Sequence, residues 1–283
     1  MTTYLEAEAN PTRNTGVIRL YDAAAFEGMR RACQLTARCL DGLAEIVQPG
    51  VTTQAIDDFV AEFARANDTV SATLNYRGYP KSVCTSINHV VCHGIPNDKP
   101  LKEGDIVNID VTFVVDGWHG DSSRMYPVGR LKRAAERLCE VTYRSLLIGI
   151  EEVRPGGHIG DIGAAIQEYA EGERCSVVRD FCGHGVGKLF HDAPNILHYG
   201  RRGDGPEMRP GMIFTIEPMI NLGRPHVKIL NDGWTAVTRD RTLSAQYEHT
   251  VAVTETGCEV FTFSPAGLDT PGIIMAPVAG AAE

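Results

Sequence analysis

"LKEGDIVNID", residues 101 to 110, has a counterpart in "MRPGMIFTIE", residues 208 to 217. Each is an apolar strand pattern ending on an acid, and the two acids, Asp110 and Glu217, stand 107 residues apart. A carboxylate inside such a strand is costly unless something compensates it. The doubling extends upstream. Asp22 is expected to cap an Ala-rich helix in which Phe26, Met29, Cys33, Leu40, Leu43 and Val47 keep a three-four spacing until Pro49-Gly50 stops it. After Thr52-Thr53 a second helix carries the stripe Ile56, Phe59, Val60 and Phe63. A helix from about Ala134 ends at Pro155-Gly156, and the next stripe is Ile162, Ala165, Ile166 and Tyr169. Each of its members lies 106 residues after its counterpart. A single long-period duplication of this kind is not a solenoid. It predicts an α+β chain of two similar halves, packed about a pseudo-twofold, with strand carboxylates facing each other at the seam.

Composition limits the alternatives. The 283 residues suffice for one large domain or two fused half-domains. Hydrophobic content of 43% and charged content of 22% are ordinary for a globular protein. A formal charge of −9 argues against nucleic acid or an anionic membrane as the main partner. No apolar run approaches transmembrane length, and the first twenty residues carry Glu6, Glu8, Arg13 and Arg19 instead of an uncharged signal core. The 8 cysteines form no CxxC pair, so reduced thiols in a cytoplasmic setting are expected. The boundaries expected are an N-terminal arm at 1–19, a single catalytic domain at 20–264 whose halves meet near residue 130, and a loose Ala/Gly/Pro-rich tail at 265–283.

Asp116-Gly117 in "DIVNIDVTFVVDGWHGDSSRMYPVG" is a type I′ hairpin signal. With those two residues as the loop, Val115 faces Trp118 and Thr112 faces Asp121. Asp110 then shares a face with Asp121 as its diagonal neighbour. Glu217 occupies the equivalent place in the other half, and Glu248 heads a further apolar strand. Four acids crowded together repel one another unless a cation lies between them. In "FCGHGVGKLFHDAP" (181–194), His184 and His191 stand seven residues apart. Alone, that stretch is equally compatible with metal ligands, catalytic groups or two imidazoles in a glycine-rich turn. Two Asp, two Glu and one His make an oxygen-rich set that suits Mn, Fe, Co or Zn, and two ions better than one.

From about Leu20 to Phe263 the chain resembles the type I methionine aminopeptidases, enzymes of the pita-bread fold, in which a curved antiparallel sheet is flanked by helices. The segments that carry the resemblance are "NYRGYPKSVCTSIN", "VVCHGIPND", "VNIDVT", "HGDSSRM", "VVRDFCGHGVGKLFHDAPNILHY", "TIEPM", "NDGWT" and "LSAQYEHT". The spacings of 11 from Asp110 to Asp121, 7 from His184 to His191 and 31 from Glu217 to Glu248 agree with it. The resemblance implies that Asp110, Asp121, His184, Glu217 and Glu248 are metal ligands. Asp121 and Glu248 would bridge two divalent ions (Co, Mn, Fe, Zn or Ni), Asp110 would chelate one, and His184 with Glu217 would hold the other. It also implies hydrolysis of the first peptide bond by metal-activated water, with Glu217 relaying the proton. His191 and His93 would bind the scissile peptide and its oxyanion. Tyr76, Tyr79, Cys84, Phe190 and Trp234 would form the methionine pocket, and Asn88, Val90 and Ser244 a site for Na or K. Cys92, beside His93, is expected to be a buried structural thiol.

The implied substrates are methionyl peptides and nascent chains, met at the ribosome after deformylation, with a small second residue. No nucleic-acid or membrane partner is expected, and a monomer is the default. Departures are few: Thr73 stands where some relatives have Cys, and His89 stands near the expected entrance where an acid is common. No zinc-finger or proline-rich extension is expected before the domain, and in this the chain resembles the short bacterial form. Prolidases and X-Pro aminopeptidases share this fold, as do creatinase-like hydrolases and inactive binding proteins. The five intact ligands disfavour the last two, and the lack of an additional N-terminal domain weighs against the X-Pro enzymes.

Overall fold

The computed structural model describes residues 2–275. Four helices carry the duplication: α1 (Ala23–Leu43), α2 (Thr53–Ala66), α3 (Arg133–Glu151) and α4 (Ile159–Gly172). Asp22 caps α1 by accepting from the Ala25 N–H at 2.8 Å, and Thr52 caps α2 through the Ala55 N–H. The first helix ends at Leu43, short of the Val47 that its spacing suggested. Val47 is nonetheless buried, because the turn that follows keeps the apolar face against the core.

In each half a helix pair covers one face of a sheet. Strand Ile106–Val115 alternates, as a pleated strand must. Val107, Ile109, Val111 and Phe113 pack with Leu40, Leu43, Ile56 and Val60. The residues between them, Asn108, Asp110 and Thr112, therefore turn the other way. In the second half Phe214 and Ile216 pack with Leu138, Leu146, Ile162 and Ile166, leaving Thr215 and Glu217 on the opposite face. The polar faces of the two halves meet at the seam.

The hairpin forms in the register expected. Asp116 and Gly117 both take positive φ (50° and 80°), Val115 pairs with Trp118, and Thr112 pairs with Asp121. An antiparallel bridge from Ser123 to Glu248 then ties this hairpin to strand His249–Val253 of the second half. The Glu248 N–H donates to the Ser123 carbonyl at 3.0 Å, Ser122 Oγ donates to the Glu248 carbonyl at 2.7 Å, and Thr250 Oγ1 donates to the Asp121 carbonyl at 2.7 Å. One backbone bond and two hydroxyl-to-carbonyl bonds thus hold Asp121 and Glu248 side by side. Arg124, three residues past Asp121 and wholly buried, pairs with Asp41 of α1 and anchors the hairpin to that helix. A buried charge left without its partner is strongly destabilising, so this pair constrains where the hairpin sits.

Of the N-terminal arm, Tyr4–Glu6 pairs with Ile18–Leu20, and Arg19 forms a buried ion pair with Asp192. Of the tail, Ile273 is buried in the second-half core, and the Leu268 carbonyl accepts from Arg124. Residues 265–275 are thus held against the domain. The remainder of the expected tail, 276–283, lies outside the described residues.

Candidate active site

A cavity of about 400 Å³ opens at the seam. All five expected ligands, Asp110, Asp121, His184, Glu217 and Glu248, line it. Asp121, His184 and Glu248 are buried and bring one ligand atom each within 4.8 Å of one another. His184 Nε2 lies 3.6 Å from Asp121 Oδ2 and 3.7 Å from Glu217 Oε1. Asp110 is directly paired with Cys84 across one ladder and with Ser123 across the other, on the face shared with Asp121.

The glycines around His184 have a sheet role. Gly183–Gly185 is a strand, paired to Asp192–Ile196 and to Phe214, and not the turn that its composition suggested. A Cβ at Gly183 would collide with the Thr215 carbonyl, and one at Gly185 with the Ala193 carbonyl. Only glycine lets the neighbouring strands close on His184. A shell of neighbours that sequence reasoning missed fixes the acids. Thr112 Oγ1 donates to Asp121 Oδ1 at 2.6 Å, Thr215 Oγ1 to Glu217 Oε1 at 2.9 Å, and Gln246 Nε2 to Glu217 Oε2 at 3.1 Å. His198 Nε2 accepts from the Glu217 N–H at 3.0 Å. Alternation could have flagged Thr112 and Thr215, each two residues from a ligand or opposite one. Nothing local points to Gln246 or His198.

The electrostatics call for a cation. Burial raises the Asp110 carboxyl to about 7. Burial first, then repulsion from neighbouring acids, pushes Asp121, Glu217 and Glu248 well above the usual carboxylate range. Burial lowers His184 to about 4, so its imidazole is neutral and free to ligate. Among the described residues no lysine or arginine forms an ion pair with any of the four carboxylates. Three buried acids and the half-buried Asp110, with one neutral imidazole and no basic partner, fit divalent metal: hard oxygen donors, a borderline nitrogen, and charge in need of neutralisation.

One pH prediction follows from the same shifts. Raised carboxyl values mean that the metal-free folded state keeps protons that the unfolded chain has released above about pH 4. Stability of the chelated protein is therefore expected to fall as pH rises from about 4 through about 7. A bound dication favours the ionised acids and should remove that slope. Urea unfolding of chelated and metal-loaded protein at about pH 5 and about pH 8 measures it. Identical pH dependence with and without dication would rule out the cluster as a cation site.

The expected pocket residues Tyr76, Tyr79, Cys84, His93, Phe190, His191 and Trp234 line the same cavity. Tyr79 meets Trp234 edge-on at 5.2 Å, and its hydroxyl donates to the Gly94 carbonyl at 2.9 Å. His93 lies between Phe181 and Trp234, at 5.4 and 6.1 Å, with a left-handed φ of 57°. His191 stacks on Tyr76 at 5.1 Å and lies 4.2 Å from the His184 ring. It stands outside the Asp121–His184–Glu248 triad. Burial lowers both His93 and His191, which leaves them neutral near pH 7. Thr73 lines the cavity with its hydroxyl 2.9 Å from Ser71 Oγ. Phe181, Cys182, Met219, Arg77 and Asp180 also line it, on loops and strand ends that no periodicity marks.

Two expected positions fall elsewhere. His89 does not line the cavity; it lies near Arg241 and Lys228, whose charges, after burial, lower its pKa. Its carbonyl accepts from the N–H of Thr238, at the end of strand Ala236–Thr238. Asn88 and Ser244 are adjacent, the Ser244 N–H donating to the Asn88 carbonyl at 2.8 Å, while Val90 starts the neighbouring strand. Ser244 Oγ is buried without a hydrogen-bond partner. Cys92 is buried, and burial pushes its thiol well up, as a structural cysteine requires.

Two αβ halves closing on buried acids define a class, and comparison with known proteins agrees with it. Residues 27–255 match the model for metallopeptidase family M24, and the chain belongs to that family of metal-dependent hydrolases. Within it the chain groups with the methionine aminopeptidases. It is 56% identical to methionine aminopeptidase of Rickettsia prowazekii over 256 residues, covering 90% of this chain and 98% of that one. It is 52% identical to the Escherichia coli enzyme of that name over 239 residues, 84% of this chain and 90% of the other. The crystal structure of the Rickettsia prowazekii protein superposes with a TM-score of 0.86 at 55% identity, over 87% of this chain and all (100%) of that one. Prolidase from Pyrococcus furiosus, 20% identical with a TM-score of 0.68 over 86% of this chain and 65% of that one, shares the pita-bread fold alone. The α+β architecture of two similar halves expected from the duplication, and the pita-bread fold implied by the resemblance, are thereby established.

Proposed function

We propose that this chain removes the initiator methionine from nascent proteins whose second residue is small. The observation that carries the reading is the buried cluster of four acids and one imidazole at the foot of an aromatic-walled cavity. Relatives of high identity over nearly their whole length, all named methionine aminopeptidase, support it. The proposed catalytic unit is 20–264, with 1–19 as an arm and 265–283 as a tail, acting as a monomer in the cytoplasm, at the ribosome and after deformylation. No described helix is long and apolar enough to cross a membrane.

In this reading Asp110, Asp121, His184, Glu217 and Glu248 hold two divalent ions, drawn from Co, Mn, Fe, Zn or Ni. Bound dications would activate water and polarise the scissile carbonyl. Glu217, its oxygens fixed by Thr215 and Gln246, takes up the water's proton and delivers it to the departing amine. Neutral His191 and His93 donate to the peptide oxygen as it gains charge. Tyr79, Cys84 and Trp234 enclose a long unbranched side chain, with soft sulfur and ring edges suited to a thioether. Ser244 Oγ, lacking a partner and beside the Asn88 carbonyl, supports a Na or K site there with Val90.

Chelated protein reloaded with single metals and given a peptide panel tests this. Met-Ala-Ser and its norleucine analogue should be cut. Met-Lys-Ser, Leu-Ala-Ser and formyl-Met-Ala-Ser should stall, because each loses fit at one side of the scissile bond or lacks the free amine. Loss of methionine burial worth about 1.5–3 kcal/mol corresponds to roughly 10- to 150-fold in rate. Equal cleavage of Leu-Ala-Ser or Met-Lys-Ser would defeat the methionine reading, and preferred cleavage of Ala-Pro-Ala would replace it with an X-Pro specificity.

A further inference from the structure

The cavity's floor and its rim differ in kind. Of the four carboxylates below, Asp121, Glu217 and Glu248 are buried and Asp110 half-buried, whereas at the rim two charged side chains are exposed, Arg77 and Asp180. Among the described residues neither forms an ion pair or a side-chain hydrogen bond. Arg77 sits in a left-handed conformation, φ 49°, inside the short turn Tyr76–Gly78. Its guanidinium lies over the Tyr76 ring at 5.3 Å, and that ring stacks on His191 at 5.1 Å. The charge therefore stands within roughly 10 Å of the His191 imidazole, both groups resting against the Tyr76 ring. Asp180 precedes Phe181, whose ring meets that of His93.

An exposed, unpaired cation beside the group assigned to the scissile peptide is available to whatever passes it. A peptide in extended form rises about 3.3 Å per residue, so the third residue stands about 5 Å beyond the scissile bond at His191, and a side chain there extends further. Neither the first nor the second side chain suits Arg77, since one is buried in the aromatic pocket and the other is small. Once dications neutralise the acids below, the rim charges dominate the field met by the emerging chain.

We propose that Arg77 reads the charge of the third substrate residue, favouring an acidic side chain there and disfavouring a basic one. The inference rests on the aminopeptidase reading above. It adds a residue that sets specificity through contact with substrate, and it requires no further chemistry.

The metal-loaded full chain is assayed on Met-Ala-X-Gly amides with X as Glu, Gln or Lys, the amide removing the terminal carboxylate. At low ionic strength kcat/KM should be about 3- to 10-fold higher for Glu than for Lys, mainly through KM, since the contact exists before the transition state. The ratio should shrink at about 0.5 M salt, as exposed pairs do. Arg77→Asn, whose side chain tolerates a left-handed backbone, should bring the ratio close to one. Arg77→Lys should keep it, and Arg77→Glu should invert it; the last carries the test should the Asn variant not fold. A ratio near one in the unmodified protein, or one kept by Arg77→Asn, overturns the proposal. If the Gln peptide is not cut at all, the aminopeptidase reading fails and takes this inference with it; equal cleavage of all three defeats Arg77 alone.

Discussion

Asp110→Asn is expected to lower turnover by about a hundredfold to a thousandfold, equivalent to a lost transition-state interaction of about 3–4 kcal/mol. The substitution keeps the shape of the side chain and removes one charge and one anionic donor. Asp110 lies on the strand face shared with Asp121, and its carboxyl is pushed up to about 7 by burial alone, so little else stabilises its ionised form. Like Glu248, and among the described residues, it has no hydroxyl or amide donor on its carboxylate, in contrast to Asp121 with Thr112 and Glu217 with Thr215 and Gln246. Metal content of the purified variant, measured beside its rate on Met-Ala-Ser, checks the expectation. Normal metal content with near-normal activity would remove Asp110 from the ligand set.

His184→Ala and His191→Ala should diverge. His184 stands among three acids, with its N–H backbone group held by Thr215 and its Nε2 within 3.7 Å of both Asp121 and Glu217. Its removal should deplete bound metal and nearly abolish turnover. His191 stacks on Tyr76 outside that triad. Its removal should leave metal in place and lower kcat about a hundredfold, because its hydrogen bond strengthens as charge develops on the peptide oxygen. Metal analysis of both variants decides between the roles; equal metal loss would show that the two imidazoles share one function.

Much of this was legible from residues alone. The 106-residue doubling, the alternation in "VNIDVT" and the Asp116-Gly117 turn are short-range patterns, and the backbone has few ways to satisfy them. They determined two αβ halves, a hairpin in the register that pairs Thr112 with Asp121, and acids turned away from the helices. Motif resemblance supplied the four acids and one imidazole that line the cavity. Other features depended on contacts between distant segments. The glycines beside His184 are required by Thr215 and Ala193, residues that only the folded sheet brings near. Gln246 and His198 reach Glu217 from 29 and 19 residues away. Ile273 packs into the core although its surroundings read as loose tail. Arg77, Asp180 and Phe181 face the cavity from turns and loops, where side-chain direction follows no period, and His89 does not line it. The sequence by itself determined which elements form and which face of each is polar, because those are properties of neighbours along the chain. Only the tertiary structure decided which polar faces meet, what lines the cavity between them and which charges stand unpaired at its rim, because these depend on how separate elements close on one another.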